Sequence, residues 1–238
     1  MTIHFWGVLI VLGLGMFMSV TAGKLTVLGA ITGGILGMAI YLGAGYTGII
    51  LLALFFILGT VATSWKQPFK HNLGLAEINK GRRTAGQAFA NAGVAAIMGV
   101  LGYLFPDKAD LFRVMLAASF ASATSDTLSS ELGNVYGRRF YHILTWQKGT
   151  RGLNGVISLE GTGFGIIGSA LIGILFGLGF GFTWAVGAVI IAGVIGNLLD
   201  SVLGAALENQ GYLSNDAVNF LNTLFAALIA GAFCLIMN

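Results

Sequence analysis

The sequence is poor in charged side chains, which make up 9% of its 238 residues, against about 25% in an ordinary soluble domain. Hydrophobic residues make up 56%, and the mean hydropathy is +0.88. This composition excludes a soluble globular domain and predicts an integral membrane protein. Because the apolar runs are continuous rather than alternating, they favour a helical bundle over a β-barrel.

Cysteine and histidine are also scarce. The single Cys234 excludes an intrachain disulfide and a cysteine metal cluster. The three histidines, His4, His71 and His142, show no metal-ligand spacing, so we expect them at the membrane interface. No Ala-x-Ala cleavage site follows the first apolar run, which is therefore expected to remain as a helix.

Apolar runs of spanning length are abundant. Each predicted span is close to the roughly 20 residues that cross a bilayer, and the spans are 4–20, 25–42, 46–64, 84–105, 111–132, 159–179, 182–203 and 216–237. The predicted fold is all-α: a polytopic membrane helix bundle of about eight transmembrane helices in one domain, residues 1–238. Glycine-rich turns at 43–45 and 179–181 predict antiparallel hairpins.

The basic residues predict the orientation of the chain. With the N-terminus outside, all of the 12 Lys and Arg residues except Lys108 and Arg113 fall on one side of the membrane. The positive-inside rule makes that side cytoplasmic. We therefore expect a multi-pass protein of the inner cell membrane whose functional face is cytoplasmic.

Residues 119–133, SFASATSDTLSSELG, place a carboxylate and many hydroxyls within a predicted span. Ser119, Ser122, Asp126 and Ser129 recur at spacings of three and four, which puts them on one helix face. An ionisable group in a span costs a few kcal/mol, so this face is predicted to line an inward-facing site near a water-accessible end. The alternative is a carboxylate that simply reaches the interface.

A second polar stripe leads into the fourth span. Arg83, Gln87 and Asn91 follow one another at intervals of four residues. The planar fork of arginine can donate two hydrogen bonds to one phosphate, so the stripe predicts a phosphate site. The alternative is a topology anchor, and we favour that interpretation for Arg82.

The longest loop, residues 134–158, combines basic side chains with glycines. Such a loop can fold its backbone N–H groups around phosphate. Its spacing matches neither a Walker loop nor a dinucleotide fingerprint. A flexible loop beside an acidic leaflet would look the same, and the argument for a site comes from its position between two polar spans.

The last two spans carry polar faces as well. Asp200, Ser201 and Glu208 share a face near the end of the seventh span. Together with Asp126 they provide the oxygen ligands that magnesium prefers. In the eighth span, Asp216 could either cap the helix or join the site, while Asn219 is expected to face the interior.

These motifs, taken in order, resemble those of the integral membrane family that contains the phytyl-phosphate kinase of tocopherol biosynthesis. The matching stretches are NKGRRTAGQAFAN (79–91), DTLSSELG (126–133), Lys148 with 152–158, DSVLGA (200–205) and NDAVN (215–219). The first is also similar to the dolichol kinase and phosphatidate cytidylyltransferase enzymes, which use CTP. The family's Gly-Thr-Asn-Gly-Gly run reads Gly-Leu-Asn-Gly-Val in this chain, and the usual preceding proline is absent.

The resemblance implies transfer of the γ-phosphoryl group of CTP to an isoprenoid (phytyl or prenyl) monophosphate, with Mg²⁺ as cofactor. The implied partners are nucleotide, a prenyl-phosphate lipid and membrane lipids, with no nucleic acid and with a homodimer left open. Two alternatives are a CTP-dependent lipid cytidylyltransferase and an ion or small-molecule transporter.

The predicted roles can be stated residue by residue. The predicted catalytic residues are Asp126, Lys148, Asp200 and Arg83. The predicted metal ligands are Asp126, Glu131, Asp200 and Glu208. Nucleotide or phosphate binding is predicted for Asn79, Gln87, Asn91, Thr127, Ser129, Arg151, Asn154, Gly155, Ser158, Ser201, Asp216 and Asn219.

Overall fold

The computed structural model describes residues 2–76 and 81–237 and confirms the all-α membrane architecture. The helices are α1 (Thr2–Thr21), α2 (Val27–Ser64), α3 (Gln67–Asn72), α4 (Ala85–Leu104), α5 (Ala109–Tyr136), α6 (Leu159–Phe180), α7 (Trp184–Leu203) and α8 (Asn215–Met237). A 3₁₀ turn (Pro106–Lys108) precedes α5, and a π-helical turn (Gly204–Glu208) follows α7. Strands β1 (Phe140–His142) and β2 (Val156–Ser158) pair antiparallel, with Phe140 opposite Ser158.

The predicted multi-pass character is confirmed. Within the described ranges, five helices are long and apolar enough to cross a membrane: α2, α4, α6, α7 with its π-helical turn, and α8. Helix α1 contributes a shorter apolar segment, and α5, which carries the polar stretch, is not among the five. The count of eight spans stays a prediction.

Helix α2 contains a chain reversal. The segment Val27–Ser64 consists of two helices joined at Gly45, whose φ of 58° and ψ of −148° favour glycine because it has no Cβ. A Cβ built on Gly37 would lie 3.3 Å from Cδ2 of Leu52, whereas a continuous helix would separate these residues by about 22 Å. The halves α2a (27–44) and α2b (46–64) therefore pack against each other, as the turn at 43–45 predicted.

Helix α5 lies at the centre of the bundle, in contact with α2, α4, α6, α7 and α8. Four hydroxyl side chains in its middle are at most 1% exposed: Ser119, Ser122, Thr124 and Ser125. The hydroxyl of Ser119 donates to the carbonyl of Leu116 at 2.8 Å, and that of Thr124 donates to the carbonyl of Phe120 at 2.7 Å. The polar face of α5 is thus turned away from lipid, as its spacing predicted.

Local capping fixes the helix starts that border the site. At α4, the amide of Gln87 donates to Thr84 Oγ1 at 3.3 Å and the amide of Thr84 donates to Gln87 Oε1 at 2.9 Å, forming a capping box. At α6, the Ser158 hydroxyl accepts from the amide of Gly161 at 3.1 Å. These caps hold Arg83 and the 152–158 segment next to the ends of α5 and α7.

Two glycines allow α2a and α4 to cross in backbone contact. A Cβ built on Gly99 would lie 2.8 Å from Cα of Ile40, and one built on Gly43 would lie 2.8 Å from Cα of Gly99. No side chain separates the two backbones at this crossing, which is the close approach that small residues permit in membranes.

We therefore predict that Gly99→Ala destabilises the protein by about 1–3 kcal/mol, because the added methyl group forces the helices apart. The measurement is the thermal midpoint of unfolding in detergent. The matched control is Gly187→Ala, since a Cβ at Gly187 meets nothing within 4 Å. Equal midpoints for the two variants would contradict the crossing.

Candidate active site

Two carboxylates meet where α5 and α7 approach each other. The side chains of Asp126 on α5 and Asp200 on α7 are neighbours, and both line the same cavity. Asn222 Nδ2 donates to Asp200 Oδ1 at 2.6 Å, and the hydroxyl of Ser122 donates to Asn222 Oδ1 at 3.2 Å. The pair is therefore held by a hydrogen-bonded chain that runs from α7 through α8 back to α5.

The pair has no ion-pair partner in the part of the chain that the structure describes. Two adjacent carboxylates repel each other when both are charged, so this arrangement favours a cation or a shared proton between them. Among the described residues, no group of three His, Cys, Asp or Glu side chains could hold a metal alone. One or two carboxylates with substrate phosphates and water suffice for magnesium, and Asp126 with Asp200 fit that pattern.

A polar cavity of about 180 Å³, the loop chamber, opens beside this pair. It lies between the ends of α5 and α7 and the segment 152–158. The predicted residues that line it are Asp126, Ser129, Asn154, Gly155, Ser158, Asp200, Ser201 and Glu208. Ser129 also donates to Asn197 Oδ1 at 3.0 Å, which ties α5 to α7 across the chamber.

The segment that bounds the loop chamber packs tightly on α7. Gly155 has φ 77°, and a Cβ built on it would lie 2.9 Å from Cα of Ala205. Asn154 and Glu208 both lie over Gly204, since a Cβ built on Gly204 would lie 3.4 Å from Cβ of Asn154 and 3.8 Å from Oε2 of Glu208. Gly155 is therefore required for close approach, and Glu208 lies beside Asn154 at the chamber wall.

A second polar cavity of about 130 Å³, the arginine chamber, lies between α4, α5 and α8. Its lining includes six predicted residues besides Asp126: Arg83, Gln87, Asn91, Thr127, Glu131 and Asn219. Asp126, Ser130 and Asn215 line both chambers. The two cavities are therefore neighbours with a common wall, and Asp126 belongs to that wall.

Arg83 is held in place by both its backbone and its side chain. Its amide donates to the carbonyl of Lys24 at 3.0 Å, and its own carbonyl accepts from the amide of Thr26 at 3.0 Å. Its guanidinium lies 5.2 Å from the ring centroid of Phe55, a favourable cation–π geometry. A Cβ at Gly59 would collide with this guanidinium, so the glycine leaves room for it.

Glu131 has a cation of its own. Its carboxylate lies 2.5 Å from the ammonium of Lys70, which is 1% exposed. That ammonium also donates to the carbonyls of Ala62 at 3.1 Å and Thr63 at 2.7 Å, which uses all three of its hydrogens. The pair anchors α3 to α5, and the metal role of Glu131 stays a prediction.

Three predicted residues lie outside the two chambers. Lys148 is exposed and forms a β-bridge with Tyr141. Arg151 donates to the carbonyl of Gly137 at 2.9 Å, so it holds the loop against the end of α5. Asp216 packs against Gly86, where an added Cβ would collide with its carboxylate.

Asn79 lies outside the described residues. The sequence interpretation missed Lys70, which had been counted only as a topology cation. The one available signal was Glu131, since a carboxylate within a span requires a partner. It also missed Ser130, Asn134 and Thr162, which line the loop chamber.

The comparisons with known proteins identify the family. The family described as "Integral membrane protein DUF92" matches residues 9–227. The chain is 33% identical over 206 residues to "Protein VTE6, chloroplastic" of Arabidopsis thaliana, a match that covers 82% of this chain and 61% of that protein. It is 32% identical over 200 residues to an uncharacterized membrane protein of Synechocystis, covering 82% of this chain and 77% of the relative.

An archaeal relative is similar as well. The chain is 31% identical over 201 residues to an uncharacterized membrane protein of Methanocaldococcus jannaschii, covering 84% of this chain and 82% of that one. No solved structure matches the chain. These matches confirm the family resemblance that the motifs indicated. Because the family match extends over nearly the whole chain, this protein belongs to the DUF92 integral membrane family.

Proposed function

We propose that this protein is a membrane-embedded kinase that transfers the γ-phosphoryl group of CTP to an isoprenoid monophosphate. The observation that carries the proposal is the common wall of the two chambers. Asp126, Ser130 and Asn215 line both cavities, so a donor in one and an acceptor in the other would meet at Asp126. Phosphoryl transfer depends on such positioning and on charge neutralisation more than on covalent chemistry.

The sequence comparisons support the same reaction class. The motifs resemble those of the phytyl-phosphate kinase family, and the chain matches VTE6 at 33% identity. The match covers only 61% of VTE6. The proposed activity, substrate and partners of this chain therefore depend on the residues of its own site. We assign CTP to the loop chamber, where the backbone of 152–158 and the paired aspartates lie. The acceptor phosphate is assigned to the arginine chamber.

The reaction follows from these assignments. An oxygen of the acceptor phosphate attacks the γ-phosphorus, the bond from the γ-phosphorus to the β–γ bridging oxygen breaks, and CDP leaves with that electron pair. The attacking group is already an anion, so no strong general base is needed. Arg83 orients the acceptor phosphate through two hydrogen bonds. Asp126 and Asp200 would hold Mg²⁺, which when bound supplies positive charge to the phosphate oxygens.

Packing within α5 argues against a transport path. Ala117, Ala118 and Phe120 are 0% exposed and fill the bundle on the side of Asp126 away from the chambers. A transporter needs a polar route through this layer. The chambers instead open at one end of the bundle, which suits an enzyme.

Product analysis tests the proposed function directly. Purified protein is incubated with labelled CTP, Mg²⁺ and prenyl phosphates. Release of CDP together with a prenyl diphosphate supports the kinase. Release of pyrophosphate with a CDP-lipid would identify a cytidylyltransferase. If neither pair of products forms, both the kinase and the cytidylyltransferase are refuted.

We predict that Asp126→Asn and Asp200→Asn each lower the turnover of CTP at least about 100-fold, because each removes a charge from the phosphoryl-transfer site without changing side-chain volume. The measurement is CDP release by purified protein of unchanged thermal midpoint. The control is Asp107→Asn, an exposed carboxylate before α5, which should keep full activity. Normal turnover in either aspartate variant would remove that residue from the mechanism.

Arg83→Lys is expected to reduce kcat/KM for the prenyl phosphate about tenfold. The substitution keeps the charge but loses the two-pronged contact to phosphate. The neighbouring Arg82→Lys is the matched control, since Arg82 is exposed and its Nε donates to the carbonyl of Leu25. If both lysine variants behave alike, Arg83 acts only as a topology anchor.

The sidedness of the site can be tested by labelling. In a chain whose Cys234 is replaced by alanine, a cysteine at the exposed Gln147 should react with an impermeant thiol reagent only from the cytoplasmic side. A cysteine at the exposed Asp107 should react only from outside. The reverse pattern in intact cells would place the chambers on the external face.

A further inference from the structure

An apolar groove of about 200 Å³ lies between α1, the two halves of α2 and the start of α4. Its walls are formed mainly by small and hydrocarbon side chains, among them Leu12, Met16, Gly33, Leu52, Phe56 and Ala88. The chemistry assigned to the two chambers makes no use of this groove. Its lining suits a hydrocarbon ligand.

The groove adjoins the arginine chamber. Arg83, Gln87 and Asn91 line both cavities. The ring of Phe55, over which the Arg83 guanidinium lies, also lines the groove. A cation and two amides therefore lie between the apolar groove and the arginine chamber, whose lining includes Asp126.

We propose that the apolar groove holds the part of the acceptor's isoprenoid tail that lies nearest to its phosphate. This inference rests on the proposed function and specifies how the acceptor lies in the site. An amphiphile with an anionic head and a branched hydrocarbon tail matches the order of the lining: the head lies at Arg83 and the tail lies between α1 and α2. The donor then approaches the same phosphate from the loop chamber.

The size of the groove limits how much of the tail it can hold. A protein cavity of about 150 Å³ holds one benzene molecule, so about 200 Å³ accommodates roughly one to two isoprene units. The lining residues Gly15 and Ala53 are exposed on the outer surface of the bundle, so the groove opens towards lipid. The remainder of the tail lies in the bilayer, and the protein distinguishes acceptors by their first isoprene units rather than by total length.

Gly33 is a position where a side chain can be added at the groove. A Cβ built on Gly33 meets nothing within 4 Å, although the residue lines the groove. Gly33→Leu should raise the KM for geranyl phosphate and for phytyl phosphate about tenfold. The added side chain displaces roughly two methylene groups of the acceptor from the groove, and the lost burial accounts for a change of this size. The KM for CTP should stay unchanged. The two acceptors should have similar KM values in the unmodified protein, since both fill the groove with the same units.

Gly13→Leu is the matched control. Gly13 lies on α1, is exposed, and has nothing within 4 Å of a built Cβ, but it does not line the groove. This variant should keep the unmodified KM for both acceptors. An unchanged acceptor KM in Gly33→Leu, or an equal rise in both variants, would overturn the inference.

A binding measurement without nucleotide separates this inference from the proposed kinase activity. Geranyl phosphate with a diazirine on its second isoprene unit is photolysed with the protein in phosphatidylcholine vesicles, and labelled peptides are identified by mass spectrometry. Labelling of the α1 and α2 walls, competed by phytyl phosphate and lost in Gly33→Leu, supports the groove even if no nucleotide is turned over. Labelling of other parts of the protein would overturn the inference. Equal competition by phosphatidic acid would also overturn it, because it would show that the groove holds ordinary bilayer lipid.

Discussion

The contact between Asp126 and Asp200 is the constraint on which the rest of the structure depends. Two adjacent carboxylates cannot face hydrocarbon, so the helix faces that carry them must be turned into the bundle. Helix α5 is accordingly central, with α2, α4, α6, α7 and α8 packed along it and α3 anchored to its end. The buried hydroxyls of Ser119 and Thr124 donate to backbone carbonyls of α5 itself, and that of Ser122 donates to Asn222 on α8, so this polar face is turned to protein rather than to lipid.

Two acidic groups on α5 have contrasting surroundings, and the contrast indicates where chemistry takes place. Glu131 is neutralised within the protein by Lys70, whose remaining hydrogens go to backbone carbonyls. Separating such a pair would leave a buried charge, so it fixes α3 in position. Asp126 instead faces Asp200, and among the described residues no cation pairs with either. Unbalanced charge of this kind is typical of sites that bind a ligand of opposite sign.

Much of this arrangement was predictable from the sequence, because helical spacing determines which residues share a face. The positions of Asp126, Asp200 and Arg83 at one end of the bundle follow from the spans and their polar stripes. The reversal at Gly45 followed from the glycine-rich turn. Sequence spacing carries no information about which side chains from distant segments meet, so the Lys70–Glu131 pair was missed.

The outcome for the long loop illustrates the same limit. Lys148 and Arg151 carry the charge expected of phosphate ligands, but Arg151 binds the Gly137 carbonyl and Lys148 is exposed. The directions of these two side chains depend on the pairing of β1 with β2. Strands of three residues within a loop leave no recognisable pattern in the sequence, so this pairing could not be predicted. The apolar groove was also missed, because it requires the packing of α1 against both halves of α2, and apolar faces look alike in sequence.

The common wall of the two chambers constrains how this protein family can diversify. A substitution at Asp126, Ser130 or Asn215 alters both chambers at once, so it changes the environment of donor and acceptor together. Of the groove and the two chambers, Gly33 borders the groove alone and Asn154 borders the loop chamber alone. Relatives that act on a different lipid or a different nucleotide are therefore expected to have drifted at these outer positions while natural selection kept the wall unchanged.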